Sequence, residues 1–418
     1  MKSNAFDLNP VFIKMKNGLN VHLIKSESLQ TYVQYDIPVG SFNTKYKIGK
    51  NIYEIKPGTH HLLEHMIFMM EDKDAFEYFH KMGVVANAMT TYRQTSYSLI
   101  GHKDMIDATL YLIKMLESPY FDPHKVEMEK QIIYEEIQMY DDEIETQLFQ
   151  KMYHQLIHTH PLKNEITGTK KELSDIDSDD LFTLFNHFYC SNNRQIIIYG
   201  PIDIKAYIDV LENYESKITK TINPIIISNK EIKTVKIKEG RYNLDVTTPI
   251  FAFGLKIILD TQDEKIIYKY EIIMLFIGRL LFGNQSNFHQ YLLDNHQIID
   301  GFNFHITIED DLLVFMMDSE TYDTDELKNS ILVHLKNKDI ADFNEETFKL
   351  LKKAYLGHFI MALDDIENRI YIYGKYNLLG LSLKEALEII KEIHFGDLLA
   401  LYDSLNESMM SFVHVLPK

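Results

Sequence analysis

Three residues that can bind or activate a metal ion lie within one short stretch of the sequence: His61, Glu64 and His65. If the stretch is helical, side chains four residues apart share one face, so His61 and His65 can present two imidazoles to one ion. Glu64 leans toward the same point and can accept a proton from water there, which is the task of a general base. This spacing therefore predicts half of a catalytic zinc site.

A third ligand must come from another element, because zinc in hydrolytic sites takes three protein ligands and leaves one position for water. Asp122-Pro123 is a good helix start, with an aspartate at the N-cap and a proline in the first turn. The segment from Glu127 to about Ile157 contains no glycine or proline, which predicts one long helix. Glu129 and Glu136 are seven residues apart on it, which is two turns, so both carboxylates face the same way.

The stretch from Glu129 to Met139, which contains the pair Glu135-Glu136, resembles a motif of the pitrilysin-like inverzincins, in the branch of mitochondrial processing peptidase and its short bacterial relatives. The resemblance implies a zinc metalloendopeptidase that holds one Zn²⁺ per chain. It also implies that Glu129 is a supporting catalytic carboxylate and that Glu64 is the general base. The three zinc ligands that it implies are His61, His65 and Glu136.

A further match concerns substrate binding. Asn87-Ala88-Met89-Thr90 resembles the Asn-Ala-x-Thr edge strand of the same family. The resemblance implies that Asn87, Ala88 and Thr90 bind an extended peptide, which adds to the sheet as one more strand. A plain core strand with no contact to substrate is the alternative interpretation.

Other residues near these motifs are assigned to packing or to the surface. His60 lies one residue before His61 and therefore points away from the face that the two ligands share. The apolar residues of the motif helix are expected to pack it against a sheet: Leu62, Leu63, Met66 and Phe68. A separate group without a carboxylate at helical spacing is interpreted as surface: His154, His158 and His160.

The elements that position these residues occur in two similar series, so the fold class is predicted as α+β with two homologous domains. Each domain is expected to be a mainly antiparallel sheet covered by helices, and the family resemblance implies a half-clam shape. Residues 1–215 form the predicted zinc-bearing catalytic domain, 216–230 a polar linker and 231–418 the second domain.

The second domain departs from the family pattern at two positions. Homodimeric relatives carry an arginine and, seven residues later, a tyrosine that reach the partner's zinc site and hold the substrate carbonyl. In this sequence Leu293 and Asp300 align there; leucine cannot donate a hydrogen bond, and aspartate would repel an oxyanion. The chain resembles instead the zinc-bearing member of paired peptidases of Gram-positive bacteria. A heterodimer is therefore expected, in which a zinc-less sister subunit supplies the arginine and tyrosine.

Composition narrows the cellular setting. The 418 residues carry a net charge of −18 and contain one cysteine, so no intrachain disulfide can form and a nucleic-acid partner is not expected. The N-terminal residues lack the apolar core of a signal peptide, and the strongest apolar run, Ile272 to Phe282, is short and contains Arg279. We therefore expect a cytoplasmic protein without a membrane partner.

The predicted function is zinc-dependent hydrolysis of unfolded peptides or leader peptides, in a chamber formed with the sister subunit. Two alternatives stay open. A non-catalytic scaffold subunit of a larger assembly would belong to the same family, although the intact zinc set argues for catalysis. A general oligopeptide scavenger would share the chemistry and differ only in its substrates.

Overall fold

The computed structural model describes residues 8–71, 74–192, 194–218, 221–227, 230–337 and 341–418. The chain divides into two units, each built from three separate stretches of sequence. The first unit comprises Met1–Met139, Asn164–Ser228 and Asp364–Leu378, and the second comprises Tyr140–Lys163, Asn229–Leu363 and Leu379–Lys418. Both units combine a sheet with helices, which confirms the predicted α+β class. The boundaries drawn from the sequence stay a prediction, and residues 219–220 and 228–229 of the predicted linker lie outside the described residues.

The strands are β1 Val11–Lys14, β2 Asn20–Lys25, β3 Thr31–Ile37, β4 Lys45–Ile48, β5 Asn51–Glu54, β6 Val85–Thr90, β7 Thr95–Gly101, β8 Gln195–Gly200, β9 Ile225–Ile226, β10 Glu239–Leu244, β11 Ile250–Ile258, β12 Asn303–Glu309, β13 Leu312–Glu320 and β14 Met410–Pro417. The helices are α1 Thr59–Ile67, α2 Ala75–Lys81, α3 Met105–Leu116, α4 Pro123–Asp142, α5 Ile144–Leu156, α6 Lys170–Ser174, α7 Ser178–Leu184, α8 Ile204–Glu212, α9 Glu264–Phe282, α10 Asn287–Asp294, α11 Thr324–Lys336, α12 Glu345–Ala362, α13 Ile366–Leu378, α14 Leu383–Glu392 and α15 Phe395–Ser404.

The first unit is built on a six-stranded sheet in the order β1-β2-β8-β3-β7-β6. Strands β2 and β8 run parallel, and the other neighbours are antiparallel. Alternate residues of the central strand, Val33, Tyr35 and Ile37, are buried in the main core, together with the apolar face of α1. Alternation along a strand sends the residues between them to the opposite face of the sheet.

The second unit has a five-stranded sheet in the order β10-β14-β11-β13-β12, with only β10 and β14 parallel among its neighbouring pairs. The strands of each sheet can be numbered in chain order, starting at β2 in the first sheet and at β10 in the second. With this numbering both sheets have the order first, fifth, second, fourth, third. The similarity of the two halves, predicted from their order of elements, therefore extends to the topology of their sheets.

Each sheet is covered on one face by a helix from the other half of the sequence. Helix α13, far along the chain, packs on β3 and β8 of the first unit. Helix α5, from the early part of the chain, packs on β14 and β11 of the second. In the shared strand numbering these are the same two positions, the fifth and second strands. The two units have thus exchanged equivalent helices.

The single long helix predicted from Glu127 to about Ile157 is wrong, because the structure has two helices there. Helix α4 ends at Asp142, Glu143 is extended with ψ of 120°, and α5 begins at Ile144. Asp141, Asp142 and Glu143 place three acidic side chains at the end of a helix, where its dipole disfavours negative charge. The same glutamate precedes α5, whose N-terminus favours acidic residues.

Burial differs from expectation at one histidine. His160 is only 3% exposed, so the interpretation of His154, His158 and His160 as surface residues is wrong for His160.

Among the described residues, no helix is both long and apolar enough to cross a bilayer.

Candidate active site

Helix α1 carries the histidine motif and is fixed at both its start and its inner face. Gly58 precedes it with φ of 87°, and a Cβ at this position would lie 2.5 Å from the carbonyl oxygen of Thr167. A side chain there would therefore be both strained and obstructed. The apolar residues predicted to pack the helix, Leu62, Leu63, Met66 and Phe68, are all buried in the core, which confirms that prediction.

The structure brings together the three residues predicted as zinc ligands. Their possible ligand atoms all lie within 4.8 Å of one another. Glu136 Oε1 is 3.7 Å from His61 Nε2, and Glu136 Oε2 is 3.8 Å from His65 Nε2. These gaps are too long for hydrogen bonds. They are close to the separation of about 3.4 Å between ligand atoms of a tetrahedral zinc site. The donor set therefore fits a zinc ion.

Glu129 contacts the site through His65. Its Oε1 lies 2.7 Å from His65 Nδ1, so a proton on Nδ1 leaves Nε2 free to face Glu136. Glu129 is 5% exposed, which makes this contact a buried one. The contact agrees with the supporting role predicted for Glu129, and that role stays a prediction.

Burial and neighbouring charges act differently on the two histidines. Burial, together with the charge of His65, lowers the pKa of His61 to about 3, so its imidazole is neutral and can bind a metal ion. Burial also lowers the pKa of His65, but the hydrogen bond to Glu129 and the charges of Glu64, Glu129 and Glu136 outweigh it and raise the pKa above its ordinary value.

Glu64 is buried between α1 and strand β6. The Thr90 hydroxyl donates to Glu64 Oε2 over 2.6 Å, and both residues are 8% exposed. Burial raises the pKa of Glu64, while the Thr90 hydroxyl and the charge of His65 partly offset that rise. Tyr97 on β7 pairs with Ala88 of β6, and its hydroxyl lies 2.8 Å from that of Tyr189.

Strand β6 is an edge strand, as the sequence resemblance implies. It pairs only with β7 among the described strands, and its residues alternate between exposed and partly buried. Asn87 is exposed, Ala88 is partly buried, and Thr90 is buried against Glu64. The substrate-binding roles of these three residues stay a prediction, and the side chain of Thr90 is engaged within the protein.

Two further results concern residues outside the set of predicted ligands. His60 is buried at 3% exposure, and burial lowers its pKa to about 4. Sequence reasoning missed the contact between Thr90 and Glu64, for which no local spacing gives a signal, because the residues are 26 positions apart.

In the second unit Leu293 is partly buried on α10, and Asp300 is exposed beyond its end.

A second group of possible ligands, Glu239, Asp325 and His414, lies in the second unit. Two cations already neutralise it. Arg241 donates to Asp325 at 2.5 Å and Lys328 donates to Glu239. A divalent ion would have to displace these ion pairs, so the group is better described as a charge network than as a metal site.

Comparison with known families identifies matches along most of the chain. The model of insulinase (peptidase family M16) matches residues 30–170. The model of the peptidase M16 inactive domain matches residues 175–355. The first match contains the histidine motif and α4, and the second begins before α7.

Relatives and solved structures extend the match to nearly the full length. The chain is 28% identical over 411 residues, covering 97% of it and 96% of the relative, to YmfH of Bacillus subtilis, an uncharacterized zinc protease. It is 26% identical over 175 residues, 41% of the chain and 38% of the relative, to the mitochondrial-processing peptidase subunit beta of Lentinula edodes. An M16-like peptidase from Alicyclobacillus acidocaldarius shares the fold, with a TM-score of 0.90, 23% identity and 98% of each chain covered.

Proposed function

The chain belongs to the pitrilysin-like insulinase family, peptidase family M16, and from this membership we propose that it is a zinc-dependent endopeptidase. The observation that carries the proposal is the convergence of His61, His65 and Glu136 within 4.8 Å, beside the buried carboxylate of Glu64. A structural role alone gives no reason for two imidazoles and a carboxylate to face one another at distances too long for hydrogen bonds.

In this proposal His61, His65 and Glu136 hold the ion, and Glu129 orients His65. Zinc in such a site supplies Lewis acidity for a water molecule and for the scissile carbonyl. Glu64 accepts the proton of the attacking water and returns it to the leaving amine.

The substrate of this reaction would be an unfolded peptide that pairs with β6. An edge strand offers unpaired backbone groups, and an extended peptide can satisfy them. Strand β6 meets α1, the helix of the motif, so a peptide on this edge would lie beside Glu64. Asn87 and Ala88 are the residues of the strand that we assign to substrate binding. Leader peptides are one such substrate class; general oligopeptides are the alternative.

We further propose that the active form is a heterodimer. Neither Leu293 nor Asp300 can hold the developing oxyanion, so an arginine and a tyrosine from a zinc-less sister subunit would do so. The similarity to a mitochondrial-processing peptidase subunit, a protein named as one subunit of a larger enzyme, supports this arrangement. The cytoplasmic location stays a prediction from the sequence.

Two matched variants test the site. Glu136→Gln should remove most of the zinc from the purified chain, which should otherwise hold about one equivalent, because an anionic ligand is lost. Glu64→Gln should keep the zinc and lose peptide hydrolysis by about a hundredfold or more, because only the base is lost. Metal analysis and cleavage of an unstructured peptide separate the two effects. Wild-type protein prepared without chelator and holding well under half an equivalent of zinc would favour the scaffold alternative.

The sister subunit is tested by reconstitution. The isolated, zinc-loaded chain should be weak or inactive, because each absent oxyanion donor typically contributes about 10²-fold to 10³-fold. Activity should rise to a maximum at one-to-one stoichiometry with the sister subunit and depend on that subunit's arginine and tyrosine. Full activity of the chain alone, unchanged by any partner, would refute the divided site and leave a self-sufficient enzyme.

A further inference from the structure

We propose that Thr90 is a positioning residue that sets the orientation of the Glu64 carboxylate. The inference rests on the proposed function, and it gives Thr90 a different task from the substrate binding that the family resemblance implies. A positioning residue acts through Glu64 and need not touch the substrate. The two roles therefore predict different kinetic effects for the same substitution.

The contact has the geometry of a strong hydrogen bond. The Thr90 hydroxyl is 2.6 Å from Glu64 Oε2, which is within the short range typical of a hydroxyl donating to a carboxylate. Both side chains are 8% exposed, so water competes poorly for either partner. A buried hydrogen bond to a charged group contributes more than one at the surface.

The contact also distinguishes the two oxygens of the carboxylate. The Thr90 hydroxyl donates to Oε2, and among the described residues the backbone N–H of Thr90 is the further donor to this carboxylate. Oε1 is then the oxygen that accepts the proton of the attacking water. Without the threonine hydroxyl the backbone contact alone would hold the carboxylate, and rotation about its last side-chain bond would be less restricted, because that torsion has only broad preferences.

Threonine suits this task in a strand. Two heavy atoms on Cβ restrict its first side-chain torsion, so the backbone of β6 leaves the hydroxyl few directions. Thr90 is the last residue of β6 and pairs with Thr95, the first residue of β7. The hairpin therefore fixes the hydroxyl against α1, and the orientation of the base depends on a different element from the one that carries it.

Thr95 offers a matched control. Its hydroxyl donates to the Val39 carbonyl over 3.0 Å, and the residue is fully buried. Thr95→Val and Thr90→Val therefore each remove one buried hydroxyl from the same β6–β7 pair, but only Thr90 contacts Glu64. Thr90→Ser keeps the hydroxyl and tests rescue.

The experiment measures kcat, KM and zinc content for the wild-type enzyme and these variants, with the sister subunit present if activity requires it. We expect Thr90→Val to lower kcat about 10-fold to 100-fold with KM within about twofold, because a misplaced catalytic group costs rate rather than binding. Zinc content should stay at one equivalent. Thr90→Ser should recover most of kcat, and Thr95→Val should leave kcat within about twofold.

A double variant adds a second test. If Thr90 acts only through Glu64, Thr90→Val should lower the residual rate of Glu64→Gln no further, because residues that act as a unit are not additive. A raised KM with unchanged kcat, or an equal loss of kcat in Thr95→Val, would overturn the positioning role. A zinc-loaded wild type that cleaves no peptide, with or without a sister subunit, would overturn the proposed function itself.

Discussion

Glu129 contacts the candidate metal site through His65, and this indirect contact has a measurable consequence. A carboxylate on the far nitrogen of a ligating histidine fixes its tautomer and makes it a better donor, and loss of such a partner typically costs about 10-fold to 100-fold in metal affinity. We expect Glu129→Gln to weaken zinc binding by that factor while leaving the site able to fill at high zinc. Competition with a chelator of known affinity measures the change.

The control for this prediction lies on the same helix. Glu135 is exposed and one residue from Glu136, so Glu135→Gln removes the same charge from α4 without touching His65. Equal zinc affinity in the Glu129 and Glu135 variants would mean that the contact with His65 at 2.7 Å does not support the metal.

For single residues, helical geometry explains which members of the candidate site could be predicted from the sequence. His61 and His65 share a face by their spacing of four, and Glu129 and Glu136 by their spacing of seven. The relation of Thr90 to Glu64 depends on how a strand and a helix pack after folding, so no periodicity contains it.

Among the elements, the loop after α5 depends on one buried glutamate. Glu231 accepts hydrogen bonds from the backbone N–H groups of His158, Thr159 and His160 at 2.7 to 2.9 Å. It also forms an ion pair with Lys256 at 2.9 Å. Burial would raise the pKa of Glu231, but these donors outweigh it and lower the pKa to about 2. The carboxylate therefore stabilises the fold only while it is ionised.

The pH dependence follows from this direction. A folded pKa of about 2 against an ordinary value of 4.5 gives stability that is present above pH 4.5 and lost as the pH falls toward 2. Burial lowers the pKa of Lys256, but a lysine titrates far above this pH range, so the pH dependence between 2 and 4.5 comes from Glu231. We expect Glu231→Gln to lower the free energy of unfolding by about 3 kcal/mol at pH 7, with the difference from wild type narrowing below pH 4.5.

Urea unfolding at several pH values measures this difference. Asp260→Asn is the matched control, because Asp260 pairs with Lys233 at 3.4 Å on the surface, with both side chains exposed. Exposed pairs contribute at most about 1 kcal/mol. A Glu231 variant as stable as the Asp260 variant at pH 7 would show that the buried pair does not hold the loop.

Sequence patterns located many elements but not their partners. Helix α4 begins at Pro123, where the Asp122-Pro123 pair predicts a helix start, because the N-cap and first-turn preferences are local. The break at Glu143 was missed because no glycine or proline marks it. Which sheet a helix covers is a tertiary property, and apolar periodicity gives no information about it.

For the whole molecule, the exchange of α5 and α13 makes each unit depend on the other half of the sequence. A cut between residues 228 and 229 would leave the sheet of the first unit without α13 and that of the second without α5. We expect neither fragment to unfold cooperatively by itself. Co-expressed fragments should copurify and regain cooperative unfolding, because the exchanged helices connect them. Calorimetry and copurification measure both outcomes.

The control is the uncut chain with a protease site inserted at the same position, examined before and after cleavage. Cleavage should leave the two fragments associated, with little change in the unfolding temperature. Two fragments that separate after cleavage and each unfold cooperatively would show that the exchanged helices are dispensable to the units they cover.

The exchange also has a consequence for synthesis on the ribosome. The last strand of the first sheet, β8, leaves the ribosome long before α13 does. The face that α13 covers is therefore exposed to water until α13 has been synthesised. On that face Gln34, Asp36 and Gln195 hydrogen-bond to one another through their side chains. The same face also carries an apolar cluster that packs on Ile370 of α13: Ile24, Tyr32, Ile197 and Tyr199. Helix α5, in contrast, is complete before its sheet exists, and it packs Met152 and Leu156 close to Gly254 of that sheet. The apolar part of the face that α13 covers stays exposed until α13 is made, and exposed apolar surface on a nascent chain favours association with other chains.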